Sequence, residues 1–124
     1  MAHSMMRKTK QMKQQQKPPL DARMALWKKM SEAQFQAQII ALAKRLGWLC
    51  YHTWNSQNSA SGFPDLVLVR ERVLFVELKR QVGGVFSFAQ LTWLDRLDQC
   101  SGVETYRWKP ENIDEAERIL RRVA

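Results

Sequence analysis

GFPDLVLVRERVLFVELK, residues 62–79, decides the fold. Its apolar runs, Leu66 to Val69 and Val73 to Val76, are too short for helices and are separated only by Arg70, Glu71 and Arg72. That spacing predicts two strands joined as a hairpin. Asp65 stands at the start of the first strand and Glu77 at the end of the second, so the hairpin brings the two carboxylates together. Side chains alternate faces along a strand, so Glu77 and Lys79 point one way and Leu78 the other. The product is a pair of carboxylates and an ammonium at one edge of an apolar sheet, where charges need partners or a purpose. The runs are almost uninterrupted, which predicts strands buried on both faces.

Ionised Asp65 and Glu77 are hard oxygen ligands. Magnesium binds through one or two carboxylates, several waters and substrate phosphate oxygens, and the backbone carbonyl of Leu78 can add another oxygen. A metal held there lowers the pKa of a coordinated water and neutralises charge developing on a phosphate. Lys79 is placed to orient that water or to stabilise the transition state. Glu32 has two readings: an acid favoured in the first turn of a helix, or a further metal ligand, direct or through water. Gln90 likewise is either the N3 residue of a capping box or an amide that touches a phosphate or a ligating group.

Outward from the hairpin, Ser31 and Gln34 form a capping box. The stripe Phe35, Ile39, Leu42, Leu46 then predicts a helix that Gly47 ends. Trp48 to Trp54 suits a strand, and Asn55 to Gly62 is a small, polar loop, expected to be mobile, that leads into Phe63-Pro64-Asp65. Past the Gly83-Gly84 loop, Ser87 and Gln90 open a helix to about Cys100, with Leu91, Leu94 and Leu97 inside. Gly102 ends it. Val103 to Lys109 alternates as a strand, and Pro110 precedes a last helix with Ile113, Ala116, Leu120 and Val123 on one side. The order α-β-β-β-α-β-α predicts an α/β fold, a mixed sheet flanked by helices.

The net charge of +8 is placed unevenly: residues 1–29 carry eight Lys/Arg against the single Asp21, and the remainder is almost balanced. Residues 1–30 therefore read as a basic, largely flexible arm, with 1–20 mostly disordered, and 31–124 as the folded domain. Such an arm, Lys28 and Lys29 included, suits a polyanion and adds salt-sensitive affinity; the plain alternative is a solvated tail. Tyr51, His52 and Trp54 either pack in or beside a strand, or stack on a splayed base and touch phosphate. Arg80 is either a phosphate contact or a solvated charge. Cys50 and Cys100 lie far apart without metal-ligand spacing, which argues against zinc. No apolar run approaches a membrane span, and residues 1–30 lack a secretory h-region, so a cytoplasmic location is expected.

Taken together, the helix with Glu32, Gly62-Phe63-Pro64-Asp65-Leu66, Val76-Glu77-Leu78-Lys79 and Ser87 to Gln90 followed by Trp93-Leu94 and Gly102 resemble the PD-(D/E)xK nuclease superfamily. Within it they resemble the virus-type replication-repair nuclease (VRR-NUC) domain. The resemblance covers about residues 31–109 and leaves the basic arm outside. It implies a restriction-endonuclease-like fold and an endonuclease that hydrolyses DNA phosphodiesters with Mg2+ or Mn2+, using Asp65, Glu77, Lys79 and Gln90. The chain's length resembles that of the short standalone members from phage and bacteria. That likeness implies a homodimer acting on branched DNA of the Holliday-junction type. The alternatives are a flap, single-strand or restriction-type nuclease, or a non-catalytic DNA-binding protein.

Overall fold

The computed structural model describes residues 17–54 and 60–123. Helices α1 (Leu20–Lys29) and α2 (Glu32–Arg45) precede strands β1 (Leu49–His52), β2 (Leu66–Val69) and β3 (Val73–Leu78). Helix α3 (Phe88–Asp98), strand β4 (Val103–Trp108), a 3-10 turn at Pro110–Asn112 and helix α4 (Ile113–Arg121) follow. The strands form one four-stranded sheet in the order β1-β2-β3-β4. The first two pairings are antiparallel and β3 lies parallel to β4, so the sheet is mixed. This is the expected α/β architecture of a restriction-endonuclease-like fold, with one helix more than the sequence suggested. Among the described residues no helix is long and apolar enough to cross a membrane.

The predicted hairpin forms, with Leu66 opposite Val76 and Val69 opposite Val73. Ser31 caps α2 and Ser87 caps α3, each through the reciprocal box with Gln34 or Gln90. Gly47 follows α2 with φ +90°, a conformation that side chains with a Cβ rarely take. The core lies between one sheet face and helices α2 and α4. Phe35 and Ile39 meet Leu66, Leu68, Leu74, Val76 and Leu78 there, with Trp108, Ala116 and Leu120 closing the layer.

Three expectations are corrected. Strands β2 and β3 are not buried on both faces: Leu66, Leu68, Leu74 and Val76 are buried, while Val67, Val69, Val73 and Phe75 are only half-buried. Helix α3 covers only part of that second face. Leu91 is 38% exposed and Val123 is 76% exposed beyond the end of α4, so neither joins the core. Most of the proposed disordered stretch, residues 1–16, lies outside the described residues, as do residues 55–59 of the polar loop. Residues 20–29, however, are helical. Helix α1 starts after Pro19, carries Asp21 in its first turn and Lys28 and Lys29 in its last, and so suits its own dipole. It buries no residue and is tied down by charge: Arg23 bonds Asp114 at 2.8 Å and lies 5.0 Å from the Trp27 ring.

Candidate active site

Asp65 is delivered by backbone geometry at two points. Thr53 donates its amide to the carbonyl of Asp65 at 2.8 Å and its hydroxyl to the carbonyl of Pro64 at 2.7 Å. On the other side, Gly62 has φ +87°, and a Cβ there would stand 2.5 Å from a backbone atom of Ala89. The loop therefore lies flat on the start of α3, held also by Trp93, which donates to the carbonyl of Ser61 at 3.1 Å. The carboxylate of Asp65 then accepts from the amide of Leu78 at 2.8 Å, which joins the start of β2 to the end of β3.

Glu77 is almost fully buried, and its Oε1 accepts from Gln90 Nε2 at 3.1 Å. The other end of the same amide accepts from the amide of Ser87 at 2.7 Å. One side chain thus caps α3 and holds a buried carboxylate. The second oxygen, Oε2, is buried and has no donor among the described residues. The pKa of Glu77 is pushed up to about 9, first by burial, then by the hydrogen-bonding contact and the charge of Asp65 beside it, with Lys79 opposing. Two ionised carboxylates cannot hydrogen-bond each other, so only a shared proton or a cation satisfies this pair.

Lys79 comes up beside them, mostly buried, with Nζ 3.8 Å from Oε1 of Glu32. Glu32, about half exposed, stands at the N-terminus of α2 rather than in its buried stripe. Among the described residues no three acidic, His or Cys side chains gather closely enough to hold a metal by themselves. The donor set nevertheless fits magnesium, which takes one or two carboxylates and fills the rest of its shell with water and substrate oxygens.

A cleft of about 740 Å³ opens over this cluster, lined by Asp65, Lys79, Gln90, Glu32, His52 and Trp54 among others. His52 and Trp54 are thus brought to the site. Tyr51 is 59% exposed and, by strand alternation, stands on the opposite sheet face from His52. Arg80 is exposed and lines an adjoining groove with Glu32 and Lys79. Lys28 and Lys29 are exposed at the end of α1, outside the cleft lining. Two contributors escaped the sequence reading. Gln36 lines the cleft and sets its amide nitrogen 2.8 Å from Nε2 of His52; its signal was the one-turn spacing from Glu32. Thr53 gave no signal, since its role is to hold backbone.

A family model described as the VRR-NUC domain matches residues 2–107 of the 124. The chain belongs to the VRR-NUC family. No curated protein and no solved structure matches it. Membership makes this VRR-NUC domain one of a nuclease superfamily whose substrate is DNA. The match begins at residue 2, so it takes in the basic segment that the motifs alone left outside.

Proposed function

We propose that this VRR-NUC domain is a metal-dependent DNA endonuclease centred on Asp65, Glu77 and Lys79, selective for branched DNA. The observation that carries the reading is the buried oxygen of Glu77 that has no donor among the described residues, set beside Asp65, which lines the cleft with Lys79. Asp65 and Glu77, with the Leu78 carbonyl and Glu32 as further oxygen donors, would hold Mg2+ or Mn2+. When bound, that ion supplies Lewis-acid stabilisation of the phosphate and an acidified water.

The chain's own groups supply the rest. Gln90 fixes the rotamer of Glu77, and the Leu78 amide fixes that of Asp65, so both carboxylates are oriented before substrate arrives. The ammonium of Lys79 faces the cleft, where it offers hydrogen bonds to the attacking water or to a non-bridging phosphate oxygen. Glu32, 3.8 Å away, pairs with that ammonium and helps to position it. A homodimer would present a pair of such centres related by two-fold symmetry, which matches the symmetry of a four-way junction.

The test is cleavage of labelled four-way junction, flap, single-strand and linear duplex DNA, with magnesium, manganese or EDTA, beside Lys79→Ala. Paired cuts in the junction that disappear with EDTA and in the variant are expected. Cutting of flaps or single strands alone would replace the junction preference. Binding without cutting in any metal would refute the enzyme.

A further inference from the structure

Two grooves meet at the candidate active site. The first holds Trp54 and Asp65; the second, of about 490 Å³, holds Arg80 and the Gly83-Gly84 turn. Glu32 and Lys79 belong to both linings, so the grooves adjoin as a surface channel at whose junction Lys79 stands. At one end Trp54 is 75% exposed, an uncommon state for so large a ring. It leans on His52 at 5.6 Å and a 37° tilt, and His52 is braced in turn by Gln36. At the other end the Gly83-Gly84 turn hugs the main chain: a Cβ on Gly84 would lie 2.5 Å from the carbonyl oxygen of Arg80. The guanidinium of Arg80 lies over Gly83, 3.1 Å from where a Cβ would sit.

We propose that this channel is a track for a single DNA strand, in which Trp54 stacks on an unpaired base on one side of the scissile phosphate and Arg80 holds a backbone phosphate on the other. The inference rests on the nuclease reading and deepens it by naming the state of the substrate. In a duplex both faces of each base are covered by its neighbours. An indole on the channel wall finds a free π-face only where the strand has left the helix. A positive group at the far end, past a centre that handles phosphate, suits the next turn of the backbone and not a base. The substrate is therefore DNA unpaired beside the cut, as at a branch point, a flap or a single strand.

The test measures binding of a single-stranded oligonucleotide carrying 2-aminopurine to the full chain, with calcium replacing magnesium and the matching duplex as competitor. Quenching of the probe is expected in the wild type and in Trp54→Phe. In Trp54→Ala quenching disappears and affinity falls roughly tenfold or more. Arg80→Ala should flatten the slope of log K against log salt by about 0.7. Trp54 is solvent-facing, so unchanged melting temperatures will show that neither effect is unfolding. Strand binding that is absent, or indifferent to Trp54, or matched by the duplex, overturns the track. Lys79-dependent cleavage with Trp54 indifferent would sink this inference alone. Trp54-dependent strand binding without cleavage in any metal would sink the nuclease reading and leave the track standing.

Discussion

At Glu77 one carboxylate oxygen is held by Gln90 and the other has no donor among the described residues, so burial and the neighbouring Asp65 favour the protonated form. With its pKa raised from 4.5 to about 9, the folded chain binds that proton more tightly than the unfolded chain does. Stability in EDTA must then fall as pH rises through this window. Glu77→Gln removes the titration. In EDTA its melting temperature is expected above that of wild type near pH 8 and close to it near pH 4.5. Magnesium should raise the melting temperature of the wild type and leave the variant unmoved. Gln90 separates into two roles by a single atom. In Gln90→Glu the acceptor that caps Ser87 survives, and the donor to Glu77 is replaced by a like charge. Cleavage is expected to fall at least about tenfold while the melting temperature drops by no more than a few degrees.

Among the elements, the hairpin turn is fixed from behind. Arg72 makes a two-point bond to Glu104 at 2.7 and 3.0 Å and donates to the carbonyls of Ile119 and Arg122 at the end of α4. Its side chain is 7% exposed. Arg72→Ala removes the two-point partner of Glu104, leaving it to Tyr106 and Arg122, and takes the Arg72 donor from the Ile119 carbonyl; it should cost about 3 kcal/mol in urea denaturation. Arg121→Ala, which breaks an exposed pair with Glu117 on the same helix, should cost under about 0.5 kcal/mol. Legibility followed the same division. The hairpin, both capping boxes and the buried stripe of α2 could be read because each is a local pattern with a period or a paired cap. Helix α1 was missed because it has no apolar stripe; its good helix formers after Pro18-Pro19 were the available signal. Leu91 and Val123 were misplaced because periodicity says which face a residue occupies and not whether another element covers it. Within the site, Asp65, Glu77 and Lys79 stood out as charges at the ends of apolar strands. Gln36 carried only its one-turn spacing from Glu32, and Thr53 acts through bonds to distant backbone, which no local pattern records.

Across the whole molecule, positive charge is concentrated before residue 30, and the only described part of that segment with regular structure is α1. Lys28 and Lys29 are exposed at its end, so replacing both with Ala should weaken DNA binding most at low salt. The salt slope should flatten by up to about 2, as read by titration over a range of chloride concentrations. The other end of the chain has a different bearing. Trp48 donates to the carbonyl of Leu120, Arg70 reaches the carbonyls of Leu46, Leu120 and Arg122, and Arg72 joins them. The hairpin can close early from neighbouring residues. Its turn, however, has no carbonyls from α4 to bind until the polypeptide beyond residue 119 has been made. Strand β4, which flanks Glu77 in parallel, is likewise a late arrival. Arg70 and Arg72 thus couple the hairpin turn to α4 through contacts of long sequence separation, which form only once α4 has docked. A chain cut before residue 119 would lack that clasp, and is expected to hold the hairpin and its two carboxylates less firmly.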